Sequence, residues 1–165
     1  MKATTCPGCG VALPDLGLEV PERFEATGEC RAAYDALTAY HLTREDPDFH
    51  HQIAVDCYGA QHAGERCKPI GIVFSLVGLC LLLEHSYTGR RIQLAHTQLS
   101  HERMQWPTLA PLGPITGMTV QDVLLEEAGV ARDLALYDWA ASVWAGWRHE
   151  HERVRDICSR LLIRD

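Results

Sequence analysis

A chain of 165 residues with a formal net charge of -7, 47% hydrophobic and 22% charged residues has the composition of an ordinary globular protein, which excludes a disordered or fibrous one. Acidic and basic residues are interleaved, so no broad basic face exists to neutralise phosphates, and a nucleic-acid partner is not expected. The length suits one domain spanning residues 1–165, and residues 1–5 lead into no apolar signal segment, so the expected location is the cytoplasm.

Residues 6–28 are rich in Gly and Pro and show no helical period, which predicts an irregular segment that needs a tether. Thr27 can cap a first helix over 28–42, where Cys30, Ala33, Tyr34, Leu37 and Tyr40 or His41 share a face. Asp46, Pro47 and Asp48 read as a cap, a first-turn proline and a dipole-matched acid, predicting a second helix from there to about His62. Pro69 opens a third helix over about 69–86, apolar on nearly all sides between residues 70 and 83 and therefore central. That run is shorter than the roughly 20 residues a bilayer crossing needs, so no membrane span is expected. A fourth, amphipathic helix is expected over 90–104 and a loop over 106–118. Thr119 and Asp122 resemble a capping box before a short helix, and Gly129 separates it from a long final helix over 131–162. No segment reads as a strand. The expected fold is all-α: an antiparallel bundle of four to five helices around the apolar one, with the irregular cysteine-bearing segment packed against it.

Cys6-Pro7-Gly8-Cys9-Gly10 has the spacing at which two thiolates reach one tetrahedral ion, with glycines that allow a tight turn. A redox pair is the alternative, but such pairs sit at a helix N-terminus, and this one is flanked by glycine. Two thiolates leave two places. Cys30, in the first turn of a helix whose dipole favours a thiolate, is the third candidate; its other reading is a small buried apolar residue. Glu22, His51 and His62 compete for the fourth. Cys80 and Cys158 read as core, while Cys57 and Cys67 stay ambiguous.

His51, Val55, Tyr58 and His62 form one stripe on the second helix. His51 and His62 are about 16 Å apart along its axis, so at most one of them joins a given site. Near the end of the chain Trp144, Trp147 and His151 share a face. His151 either lines a polar interhelical pocket with His62 or His51, Asp56 orienting an imidazole, or belongs to an aromatic stripe that is core. His85, His96 and His101 read as helix-surface residues, and His50 as facing away from His51.

These motifs together resemble a family of small, functionally uncharacterised bacterial helical proteins. The resemblance rests on residues 6–10, Gly28 to Cys30, 51–64 with His51, Asp56, Tyr58, Gln61 and His62, residues 78–84, and 139–144. In that pattern a histidine stands where this chain has Glu22, while His151 matches. The resemblance implies shared architecture and no activity.

The leading expectation is a helical domain binding a metal, zinc by its thiolates, through Cys6, Cys9, Cys30 and one of Glu22, His62, His51 or His151, with a structural or regulatory role. Iron is the other metal thiolates accommodate. The alternatives are a metal-dependent hydrolase or group-transfer enzyme using His51, His62, His151 and Asp56, and a thiol sensor that expels its ion on oxidation. No particular protein or small-molecule partner is indicated.

Overall fold

A computed structural model describes residues 1–162. Seven α-helices and one small hairpin make up its regular structure: β1 (Ala3–Thr5), β2 (Ala12–Pro14), α1 (Gly28–Leu42), α2 (His50–Gln61), α3 (Pro69–His85), α4 (Gly89–Ser100), α5 (Val120–Leu125), α6 (Val130–Gly146) and α7 (His151–Leu162). The fold is all-α, as composition and periodicity predict. α3 lies against α2, α4, α6 and α7, and Val73, Leu76, Val77, Leu79 and Leu81 along it are completely buried. α2 is equally central, touching α1, α3, α4 and α6.

At Thr27 and Thr119 the helices start where the caps predict. The Thr27 hydroxyl accepts from the Cys30 amide at 3.2 Å, Thr88 does the same for Arg91, and the Thr119–Asp122 capping box is reciprocal. Pro69 opens α3, and Ser86, at φ 56°, closes it.

Four expectations need correction. Residues 3–14 form an antiparallel hairpin pairing Ala3 with Pro14, Thr4 with Leu13 and Thr5 with Ala12. Strands of three residues are too short to display a period, and the turn between them, not alternation, sets this pairing. α2 begins at His50, not at Pro47. Residues 46–49 turn instead, with Phe49 left-handed at φ 53°, while the Asp46 carboxylate accepts from the His50 amide at 2.7 Å. The Asp48 carbonyl accepts from the Arg90 amide at 2.9 Å, a tertiary contact that holds the turn against helical propensity. α4 stops at Ser100 because Met104 and Trp106 leave the helix to pack on the core, Trp106 meeting Phe74 edge-on.

The long final helix is broken: α6 ends at Gly146, a 3-10 turn follows over Arg148–Glu150, and α7 begins at His151. The break lets the fully buried Trp147 indole donate to the Ala60 carbonyl at 3.0 Å. It also lays the His151 ring on Trp144 at 3.8 Å.

α2 and α3 approach closely at Gly78. A Cβ built there would meet Asp56 Oδ2 at 1.9 Å. Gly78→Ala is therefore expected to destabilise the protein by about 1–3 kcal/mol, the range typical of overpacking, read from urea unfolding midpoints.

Candidate metal centre

The hairpin turn aims the first two thiols. The Cys6 amide donates to Val11 O and the Gly10 amide to Cys6 O, both at 2.9 Å, with Gly10 in the left-handed region at φ 77°. Gly8 lies so close to the body that a Cβ would meet Glu25 O at 2.4 Å and His62 Cδ2 at 2.8 Å. Its carbonyl accepts from the Ile115 amide at 2.8 Å, which fixes the turn to the loop before α5.

Cys30 enters from the first turn of α1, and His62 from the residue that ends α2. Ligand atoms of Cys6, Cys9, Cys30 and His62 all lie within 4.8 Å of one another, and all four residues are buried. Cys9 Sγ is 3.8 Å from Cys30 Sγ, and Cys30 Sγ is 3.4 Å from His62 Nε2. A tetrahedral zinc ion with ordinary bond lengths has edges of about 3.8 Å between two sulfurs and about 3.5 Å between sulfur and nitrogen. The donors fit that size and chemistry.

Surrounding groups orient the donors. His62 Nδ1 lies 2.9 Å from Tyr58 O; an N–H there donates to the carbonyl and leaves the Nε2 lone pair facing the sulfurs. The Tyr58 hydroxyl donates to Cys30 Sγ at 3.8 Å, and its ring is stacked on Tyr34 at 4.3 Å. The three thiols share protons unequally. Hydrogen bonds from Cys30 and then Cys9 pull the Cys6 thiol far below its usual range. Cys9 is pushed up to about 12: a bond from Cys30 lowers it, but its bond to Cys6 and its burial outweigh that. Cys30 is pushed up by its bonds to Cys6 and Cys9 and by burial. Three thiols buried this close together disfavour one another's ionisation, and a cation among them relieves that conflict.

The segment between hairpin and α1 has tethers of its own. The Glu29 carboxylate accepts from the Leu16 amide at 2.9 Å and the Leu18 amide at 3.2 Å, and the Glu25 amide donates to His62 O at 2.9 Å. Backbone amides, its own first and then those of Leu18 and Leu16, hold the Glu29 carboxyl below the usual carboxylate range. Glu29 has no sequence signal beyond a dipole-matched acid in a first turn. Cys67, ambiguous in sequence, sits against Arg23 O at 2.9 Å and His62 O at 3.3 Å, a further stitch on the same wrap.

The other candidates lie elsewhere. Glu22 is exposed and outside the group. His51 faces His41 across the α1–α2 seam, ring centroids 6.4 Å apart, and His151 Nε2 lies 2.7 Å from Trp144 O. Among the described residues neither His51 nor His151 belongs to a cluster of three or more His, Cys, Asp or Glu donors. Asp56 lies two turns from His62 on α2 and contacts Gln52 instead, Gln52 Nε2 donating to Oδ1 at 3.2 Å. Cys57, Cys80 and Cys158 are buried in the core. His96, expected at the surface, turns inward and lies 2.9 Å from Phe74 O; a single polar residue on an amphipathic helix cannot announce which way it faces.

The fold and this donor set define a helical protein built around a buried Cys3His group able to hold a metal ion. The chain belongs to the family of unknown function DUF5946, whose profile matches residues 4–148. That span contains all four donors and ends before His151. Comparison with curated proteins and with solved structures finds no match to either.

Two outcomes follow. Gly8→Ala should weaken metal retention at least as much as loss of one donor, read by metal analysis after gel filtration, because its methyl group displaces His62 or Glu25. For His41, burial first and His51 second lower the imidazole from its ordinary 6.5 to about 4, and neither ring nitrogen has a partner. Between those values the unfolded chain binds the proton better, so stability is full above about pH 6.5 and falls as pH drops towards about 4. His41→Leu should flatten the urea-stability profile across that window, in part only, because His96 is lowered to about 4 by burial as well.

Proposed function

We propose that one zinc ion bound by Cys6, Cys9, Cys30 and His62 clamps the N-terminal hairpin to the α1–α2 pair, and that the protein is a zinc-stabilised helical domain of structural or regulatory role. The observation that carries the proposal is the meeting of four buried soft donors from three separate segments within 4.8 Å. Zinc suits three thiolates and an imidazole in a tetrahedron, and four protein ligands are the mark of a structural site. An ion there supplies charge neutralisation and a cross-link. The chain's own residues do the rest: Tyr58 orients His62, Gly8 permits the approach, and Glu29 holds the leader. The reading places the protein in the cytoplasm, where thiols stay reduced.

A catalytic reading needs a coordination position left open to substrate, which four protein donors do not provide. Burial of every donor also shields the sulfurs from oxidant, which weighs against the thiol sensor.

Elemental analysis of freshly reduced protein should find one zinc per chain. Cys6→Ser and His62→Ala should lower that content, whereas His51→Ala and His151→Ala should leave it unchanged. As a check independent of whether variants fold, cobalt loaded into the wild-type chain should show thiolate-to-metal absorption bands, and chelation of the native ion should lower the melting temperature. A reduced wild-type sample that contains no metal and melts identically with and without chelator contradicts the proposal.

A further inference from the structure

A cavity of about 400 Å3 lies along α2 beside the metal centre. One helical stripe of α2, Gln52, Val55, Asp56 and Gly59, forms one wall. The start of α3 forms the facing wall with Gly71, Ile72, Phe74 and Ser75, and His96 of α4 closes one end. Phe24 and Cys67, from the segments wrapped around the metal centre, close the other. Volume and predominantly apolar walls are those of a small-molecule site.

Its polar groups fall into two sets. Inside, a chain of contacts runs from Phe74 O to His96 Nε2 at 2.9 Å, from His96 Nδ1 to Gln52 Nε2 at 3.3 Å and from Gln52 Nε2 to Asp56 Oδ1 at 3.2 Å. Asp56 is only 2% exposed; its Oδ2, which has no hydrogen-bond partner, lies against Gly78 where α2 and α3 meet, and its Oδ1 is the oxygen that Gln52 reaches. Burial pushes its carboxyl well above the usual carboxylate range, which favours the neutral form able to donate a hydrogen bond. At the rim stand Arg23 and Lys68, both exposed, a local pair of cations on a chain whose net charge is -7.

We propose that this cavity binds a small amphipathic acid, its apolar body between Val55, Ile72 and Phe74, a polar group at its inner end against Asp56, Gln52 and Ser75, and its anionic end at Arg23 and Lys68. An amine is disfavoured at the rim, where it would meet two cations. The assignment is independent of the metal, although the metal centre and the cavity share a wall: the Phe24 ring packs edge-on against Tyr58, which donates to Cys30.

The test titrates the full-length, metal-loaded protein with the fluorescent probe anilinonaphthalene sulfonate, an apolar anion. Saturable binding of one probe per chain is expected. Gly71→Trp is the blocking variant, because Gly71 lines the cavity and a Cβ there meets nothing within 4 Å. It should weaken binding at least tenfold while leaving the urea midpoint and metal content unchanged. Paired Arg23→Glu and Lys68→Glu substitutions should weaken it several-fold, and decanoate should displace the probe where decylamine does not. Absence of saturable binding, equal affinity in Gly71→Trp, or equal displacement by the amine overturns the proposal.

Discussion

The C-terminal end of α2 is the point on which the remaining structure depends. Three consecutive residues there tie down segments from across the chain. Ala60 O accepts the Trp147 indole from beyond α6. Gln61 accepts the Trp139 indole at 2.8 Å and donates to Ile115 O and Met118 O at 2.9 and 2.8 Å. His62 turns its ring towards three sulfurs while its carbonyl receives the Glu25 amide. These contacts are buried, where an unmade hydrogen bond costs about 1–3 kcal/mol, so the loop before α5, the two tryptophans and the leader are each placed by this one helix end.

The metal centre is one end of a longer seam. α1 and α2 run antiparallel, with Cys30 opposite His62, Tyr34 stacked on Tyr58 and His41 facing His51. The second pair lies one helical turn, and the third two turns more, along both helices, so the register that brings the first pair together brings the other two. His41 at the far end pairs two unpartnered ring nitrogens with burial, so it favours the neutral form. The seam thus combines soft donors at one end, aromatic stacking in the middle and, at the other, two imidazoles whose charged forms burial disfavours.

Much of this was legible before any coordinates. Caps at Thr27 and Thr119 obey local rules, so the sequence alone marks those helix starts. The apolar run of α3 identifies itself as core because no face of it could be solvated. Cys6 and Cys9 stand out through spacing, and Cys30 through its place in a first turn. The choice of His62 over His51 is a matter of which end of the α1–α2 pair the hairpin reaches, and periodicity cannot rank two histidines on one stripe. The break after Gly146 has no local signal because its cause is remote: Trp147 leaves the helix to reach Ala60, a partner 87 residues away. The inward turn of His96 depends on Gln52 in the same manner, through contact between helices far apart in sequence.

The spacing of the four donors along the chain bears on how the molecule assembles. Cys9 and Cys30 are 21 residues apart, and Cys30 and His62 are 32 apart. A cation joining them would close both spans at one point, removing configurations that the unfolded polymer otherwise samples; because such a gain grows only logarithmically with span, most of it comes from having the crosslink at all. The α1–α2 hairpin can present Cys30 and His62 on its own, leaving the first two thiols to arrive last. Ion capture would then act as a latch that engages once the two helices have found their register.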